Sequence, residues 1–271
     1  MKKCLACRSD LSKYITVDGY KIYKCAVCGL GETEEIILPD YKDYHRDKTY
    51  LQEGAQFKNI FVKRLQIIAK FSSPGKILEV GSSVGTLLSL FKDEGWEVLG
   101  VEPSRFAAKQ ATGRGIPTKE TTFEKTTLIG NSFDVVIFNH VLEHVEDPSR
   151  VLNKTCKVLK KDGLVLVDVP NFGSLNSRIW GTKWGYLYPS EHKWHFTKDS
   201  LSRLMSQSGF DVAYSETRSG IWDYGDPQSE IWQSLTSFKR RFFKNLLFLI
   251  PDYIVSVLGQ GSGLTVVGRK K

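Results

Sequence analysis

Apolar residues along the chain fall into two alternating rhythms. Short unbroken runs of aliphatic and β-branched residues at Lys76–Val80, Glu97–Val101, Phe133–Phe138 and Gly163–Val169 predict strands buried on both faces. Between them, Thr86–Glu94, Arg105–Thr112 and Pro148–Leu159 place apolar side chains at helical spacing. Strands alternating with helices imply βαβ units around a parallel sheet. Upstream, Phe57, Ile60, Phe61, Leu65, Ile68 and Ala69 mark one face of a helix between Gln52 and Phe71, closed by Ser72-Ser73-Pro74-Gly75. An aromatic-rich stretch, Phe172–Phe196, interrupts the alternation, which resumes with a helix at Lys198–Ser208 and strands at Phe210–Tyr214 and Leu264–Val267.

These elements predict an α/β fold: a doubly wound, Rossmann-like, seven-stranded and mostly parallel sheet. Residues 1–38 form a small cysteine-bearing module, and 39–74 a linker and N-terminal helix. Residues 75–217 make the main domain, with an insert at 171–197, and 218–271 a helical extension ending in the final strand. With 271 residues, 41% apolar and 25% charged, the chain can bury a sizeable core, which excludes large-scale disorder. The apolar run Leu246–Ile250 stops at Pro251-Asp252, far short of the roughly 20 residues a membrane span needs. Met1-Lys2-Lys3-Cys4 leads into no apolar signal core, so a cytoplasmic, reducing location is expected. The net charge of +8 favours anionic partners without bearing on the fold.

The strand Ile77-Leu78-Glu79-Val80 runs into Gly81-Ser82-Ser83-Val84-Gly85 and then a helix. Such a glycine turn brings backbone N–H groups and a helix N-terminus against a ligand. The next strand ends in Glu102-Pro103, a carboxylate placed to accept both hydroxyls of a ribose. A dinucleotide turn wants glycine at three positions, and here Ser83 and Thr86 occupy two of them. A sulfonium nucleoside has no pyrophosphate to approach, so the looser turn favours S-adenosylmethionine.

Three stretches together carry a family resemblance: Ile77 through Gly85, Val101-Glu102-Pro103-Ser104, and Phe133-Asp134-Val135-Val136 through Asn139-His140-Val141-Leu142-Glu143-His144 to Pro148. Over residues 70–215 the chain resembles the class I methyltransferases. The resemblance implies that Glu79, Gly81, Ser82, Ser83 and Gly85 hold the methionine end of S-adenosylmethionine and that Glu102 and Pro103 border its ribose. It also implies that Asn139 and His140 line the methyl-transfer site. Ser83 departs from the glycine common in the family. His140 and His144 share a helical spacing with Glu143 between them, a pattern that invites a metal, and the resemblance argues against one.

Cys4-x-x-Cys7 and Cys25-x-x-Cys28, seventeen residues apart, match the four-thiolate zinc spacing. Each two-residue gap lets two sulfurs converge on a tetrahedral ion, and four thiolates leave no open position, so the zinc is expected to be structural. Disulfides do not suit a reducing compartment. Cys156 lies on a predicted helix and is expected in the core.

The insert supplies Trp180, Trp184, Tyr186, Tyr188, Glu191, His192, Trp194 and His195. It is expected to close over the methyl-transfer site, with aromatics to stack on a planar ring or sugar; the bland alternative is an aromatic minicore. Glu191-His192-x-x-His195-Phe196-Thr197 is similar to sugar C-methyltransferases with an N-terminal zinc module. That similarity implies a Glu-His pair serving acceptor deprotonation, with His192 as the preferred general base beside Glu191 and His195. Tyr188 stands one residue out of the family's register, so its role is not carried over.

The expected activity is methylation of oxygen or carbon on a small-molecule or glycan acceptor. An RNA-base methyltransferase is the enzymatic alternative, and a non-catalytic zinc- and cofactor-binding scaffold a third reading. Against RNA stands Asn139-His140-Val141-Leu142, in place of the Asn/Asp-Pro-Pro-Tyr loop of many exocyclic-nitrogen methyltransferases. Ile231, Trp232, Leu235, Phe238, Phe242, Leu246 and Leu249 fall on one helical face with Lys239, Arg240, Arg241 and Lys244 nearby. Residues 231–250 are expected to pack on the domain, pair with a second subunit in a homodimer, or lie on the inner membrane surface.

Overall fold

The computed structural model describes residues 2–37, 41, 54–236 and 247–271. The chain begins with a hairpin of β1 (Leu11–Val17) and β2 (Tyr20–Cys25), turning through Asp18-Gly19 at φ 49° and 85°. An Asp-Gly pair with two positive φ angles matches the right-handed twist of the flanking strands. A third strand, β3 (Gly31–Thr33), pairs antiparallel with β2.

Helix α1 (Gly54–Ala69) leads into the main domain, followed by β4 (Lys76–Val80), α2 (Thr86–Asp93), β5 (Glu97–Glu102) and α3 (Arg105–Gly113). Next come β6 (Thr118–Glu120), β7 (Phe133–Asn139), α4 (Pro148–Val158) and β8 (Leu159–Pro170). The insert carries α5 (Leu175–Trp180) and β9 (Trp194–His195). The chain continues through α6 (Lys198–Gln207), β10 (Phe210–Arg218), α7 (Pro227–Thr236) and α8 (Leu249–Val257) to β11 (Gly263–Lys270).

Seven strands form one sheet in the order β10-β11-β8-β7-β4-β5-β6. β6, β5, β4, β7 and β8 are parallel, and β11 enters antiparallel between β8 and β10. The strand order reverses at β4, which lies between β5 and β7. A doubly wound sheet opens a ligand crevice at such a switch point, outside the carboxyl ends of its strands.

Alternate strand residues feed two cores. Leu78, Val136, Phe138, Val165 and Val167 pack under α4 and α6, while Ile77, Val135, Ile137, Leu164 and Leu166 pack under α1 and α2. The near-continuous apolar runs in the sequence follow from this two-sided burial.

Two departures from the sequence expectations bear on the site. First, β9 of the insert pairs with β3, giving a four-stranded sheet β1-β2-β3-β9. The cysteine module therefore completes its sheet with a strand more than 160 residues downstream of its own, with Gly31 opposite His195 and Glu32 opposite Trp194. Second, α8 is a separate helix with Pro251 in its first turn, where no intrahelical N–H bond is lost. The expected helical face at 231–250 is thus described in part: Phe238, Lys239, Arg240, Arg241, Phe242, Lys244 and Leu246 lie outside the described residues. No described helix is long and apolar enough to cross a membrane.

Candidate active site

A cavity of about 600 Å³ opens at the switch point. Its floor is the turn after β4. Gly81 adopts φ 70° and Ser83 φ 46°, a conformation glycine tolerates and serine does not without strain. A Cβ on Gly81 would stand 2.5 Å from Val141 Cγ2, so the loop after β7 sits directly against the turn. Ser83 is held there because its N–H donates to Glu102 Oε2 at 2.8 Å, while Ser104 N–H donates to Oε1 at 2.8 Å. The buried carboxylate at the tip of β5 thereby fixes the turn after β4.

Glu79, Gly81, Ser82, Ser83, Glu102, Pro103, Asn139 and His140 all line this cavity. Gly85 does not. At φ 79° it starts α2, and a Cβ there would press on Ala111 and Ile116, so its role is close packing.

Glu79 Oε2, Ser82 Oγ, Ser83 Oγ and Asn139 Oδ1 are buried without a hydrogen-bond partner among the described residues. Buried polar atoms cost about 1–3 kcal/mol each when unsatisfied, so four around one cavity mark the seat of a polar ligand. Burial, with Glu102 nearby, holds the Glu79 carboxyl well above its ordinary pKa. Two buried carboxyl groups on one wall favour a ligand of positive charge.

The opposite wall comes from the loop after β7 and from the insert. His140 takes φ 54°, with its N–H on the Asp168 carbonyl at 2.8 Å and Nδ1 3.2 Å from Glu143 Oε1. His192, 5% exposed, packs edge-on to His144 with centroids 4.7 Å apart. Burial, with the neighbouring histidines, pushes the His192 pKa well below its usual value, so the ring is neutral. Tyr186 and Tyr188 also face the cavity, whereas Trp184 is buried against Ile22, Phe172 and Leu187. The insert is thus a cavity wall on one side and an aromatic minicore on the other.

Glu191 and His195 are not among the residues lining the cavity. The Glu191 carbonyl lies 3.0 Å from His144 Nδ1. His195 Nε2 lies 2.9 Å from Thr33 Oγ1, which itself donates to the His192 carbonyl at 2.8 Å. Since the single Thr33 hydroxyl proton is committed, His195 must donate from Nε2. Burial lowers its pKa to about 3, in keeping with that neutral tautomer. The geometry assigns His195 to the joint between module and insert.

Tyr41, Phe123, Arg64 and Asp223 are among the cavity residues not singled out from sequence. Arg64 Nε lies 2.6 Å from Asp168 Oδ2, and Nη1 2.8 Å from Asp223 Oδ1. Arg218 binds the same two carboxylates and Glu216, tying α1 to β8 and β10. The signal was available: Arg64 is a charge on the apolar face of α1, between Phe61 and Ile68.

Apart from this cavity, Cys4 and Cys28 bring their sulfurs to 3.5 Å, and Cys7 and Cys25 to 3.4 Å, all four within 4.8 Å of one another. Tetrahedral zinc with bonds of about 2.3 Å spaces its sulfurs roughly 3.8 Å apart, so the four thiols fit that ion. Cys156 is half-buried and packs at the edge of the core.

The sequence profile of the methyltransferase domain family matches residues 52–215. The chain belongs to that family. It is 27% identical over 201 residues to the C-methyltransferase NovU of Streptomyces niveus, covering 69% of this chain and 46% of the relative. It is 31% identical over 170 residues to a ubiquinone biosynthesis O-methyltransferase of Ruegeria sp., covering 58% of this chain and 68% of the relative. The chain spans roughly half of the first curated relatives it matches, 46% and 60% of their lengths. Among solved structures, a SAM-dependent methyltransferase from Thermotoga maritima aligns with TM-score 0.57 at 21% identity, over 83% of this chain and 95% of that one. A Haemonchus contortus phosphoethanolamine N-methyltransferase 2 aligns at TM-score 0.59 and 15% identity, over 89% of this chain and 61% of that one. At these identities the structural matches establish the methyltransferase fold.

Proposed function

We propose that this methyltransferase moves a methyl group from S-adenosylmethionine to an oxygen or carbon of a small-molecule acceptor, a sugar being the preferred class. The observation that carries the reading is the ring of buried polar atoms of Glu79, Ser82, Ser83 and Asn139, unpartnered among the described residues, around the switch-point cavity. When bound, S-adenosylmethionine supplies a methyl on a positively charged sulfonium, activated for in-line displacement. Glu79 and the turn at Gly81–Ser83 hold its methionine end, and Glu102 with Pro103 its ribose. Asn139 and His140 stand at the tip of β7, beside the point of transfer. Acceptor deprotonation takes place at His192, whose neutral ring offers a lone pair. Tyr186 and Tyr188 supply the faces on which a sugar packs. The C-methyltransferase among the relatives supports a carbon acceptor, and the O-methyltransferases support oxygen.

Calorimetry with S-adenosylmethionine, followed by mass spectrometry of a cell extract incubated with enzyme and isotopically labelled donor, tests the assignment. Binding and a labelled small molecule are expected; a protein that binds no S-adenosylmethionine refutes it.

The four thiols are assigned a structural zinc. The exposed apolar residues Phe248, Ile250, Tyr253, Ile254, Val257 and Leu258 around α8, on a chain of net charge +8, are assigned to an anionic membrane surface. Co-sedimentation with anionic vesicles, weakening as salt is added, is expected; absence of sedimentation returns α8 to a protein contact.

A further inference from the structure

Glu143, His144 and His192 each place a ligand atom at the cavity wall, all within 4.8 Å of one another. The three come from different places: the two neighbours from the loop after β7, and His192 from the insert, 48 residues beyond His144.

Each side chain is prepared for a cation in its own way. The His144 Nδ1 lies 3.0 Å from the Glu191 carbonyl, which can only accept, and 3.0 Å from the Tyr41 hydroxyl, which can accept as well, so the proton sits on Nδ1 and Nε2 carries the lone pair. Metal-ligating histidines are oriented by such a bond from the second ring nitrogen. The His192 ring is set edge-on between His144 and Tyr188, with centroids 4.7 and 5.5 Å away. Glu143 is 1% exposed; its Oε1 is bonded to His140, and Oε2 is buried without a partner among the described residues. A carboxylate oxygen left bare at that depth is costly unless something positive meets it.

We propose that Glu143, His144 and His192 hold a divalent first-row transition ion whose open coordination positions take the acceptor's oxygen. The inference rests on the methyltransferase reading of the same cavity. Two imidazoles and one carboxylate select zinc, manganese, iron(II) or cobalt over magnesium, which prefers oxygen donors and retained water. The three ligands leave room for further donors, unlike the closed four-thiol site. On this reading His192 acts as a ligand, in place of the ring-base role given above, and the ion would acidify the bound hydroxyl, whose proton leaves to solvent water. His140 lies outside the set and is the hydrogen-bonded neighbour that orients Glu143. The sequence pattern His140-x-x-Glu143-His144 therefore contributes two ligands, not three.

The test uses the full chain with zinc already bound at its thiols, titrated with Co²⁺ alone and followed by metal analysis and visible spectroscopy. One cobalt per chain beyond the zinc is expected, without sulfur-to-cobalt charge transfer. Glu143→Gln and His192→Ala should weaken cobalt at least about tenfold while zinc content and circular dichroism are retained. A wild-type chain that takes up no cobalt beyond the thiol site overturns the proposal, as do variants that bind cobalt like wild type. S-adenosylmethionine calorimetry on the same samples separates the two readings. Cofactor binding without cobalt defeats the metal site alone, whereas failure to bind the cofactor defeats the methyltransferase reading.

Discussion

Glu102 combines two tasks in one carboxylate: it fixes the turn after β4 through Ser83 and Ser104, and it is the group assigned to the ribose. Glu102→Ala should therefore weaken S-adenosylmethionine by about 1.5–3 kcal/mol, the range for hydrogen bonds to a charged group, with the fold retained. Isothermal calorimetry beside a circular dichroism spectrum checks both halves, and unchanged affinity would place the ribose elsewhere. This residue was legible in the sequence because its strand, its turn partner and its role are encoded within about twenty-five residues. Ser83 was legible as an anomaly, and its φ of 46° explains it: the Glu102 contact offsets a conformation serine seldom takes. Glu143 was legible only as part of a histidine pattern, since the value of its Oε2 depends on His192 arriving from a distant segment.

The pairing of β3 with β9 determines where the reacting side chains stand. His192 precedes β9 by two residues, and its carbonyl is held by the Thr33 hydroxyl, which also accepts from His195. Thr33 N–H donates to the Lys193 carbonyl at 2.9 Å, so two successive insert residues hang on one residue of the cysteine module. Thr33→Val preserves shape but strands the buried His195 N–H and frees the His192 carbonyl, at a cost of about 1–3 kcal/mol. If Thr33 positions His192, turnover should fall while S-adenosylmethionine affinity and zinc content stay at wild-type levels. An equal loss in turnover and cofactor affinity would mean general loosening instead. Steady-state kinetics paired with calorimetry reads that split. Sequence periodicity could not reveal this pairing: β3 and β9 are three and two residues long, too short for an alternation to register, and their partners lie about 160 residues apart. The buried strands β4, β5 and β7 had the opposite property and were predicted nearly to their ends, whereas β8 begins at Leu159, ahead of the Gly163 expected from its apolar run.

For the molecule as a whole, the cysteine module and the catalytic domain cannot be independent units, because one sheet and several buried contacts belong to both. Thr197, which caps α6, donates its hydroxyl to the Cys28 carbonyl, and Gln207 donates to the Ala6 carbonyl at 2.8 Å. Gly29, at φ 74°, is pressed against Thr197 so closely that a Cβ would fall 2.8 Å from its methyl group. In a module this small, with Cys4, Cys25 and Cys28 buried, the four converging thiols make metal binding part of folding. Stripping zinc should therefore release β3, and with it β9 and the segment carrying His192, while the switch-point turn on β4 and β5 keeps its own support from α1, α2 and α3. The expected result is a chelated protein that loses methyl transfer and amide protection at residues 186–197 yet still binds S-adenosylmethionine, with both losses reversed by added zinc. Hydrogen exchange and calorimetry on the same preparation decide it. A metal-free chain whose first thirty residues and insert remain protected would show that the thiols are not what holds the wall of the cavity.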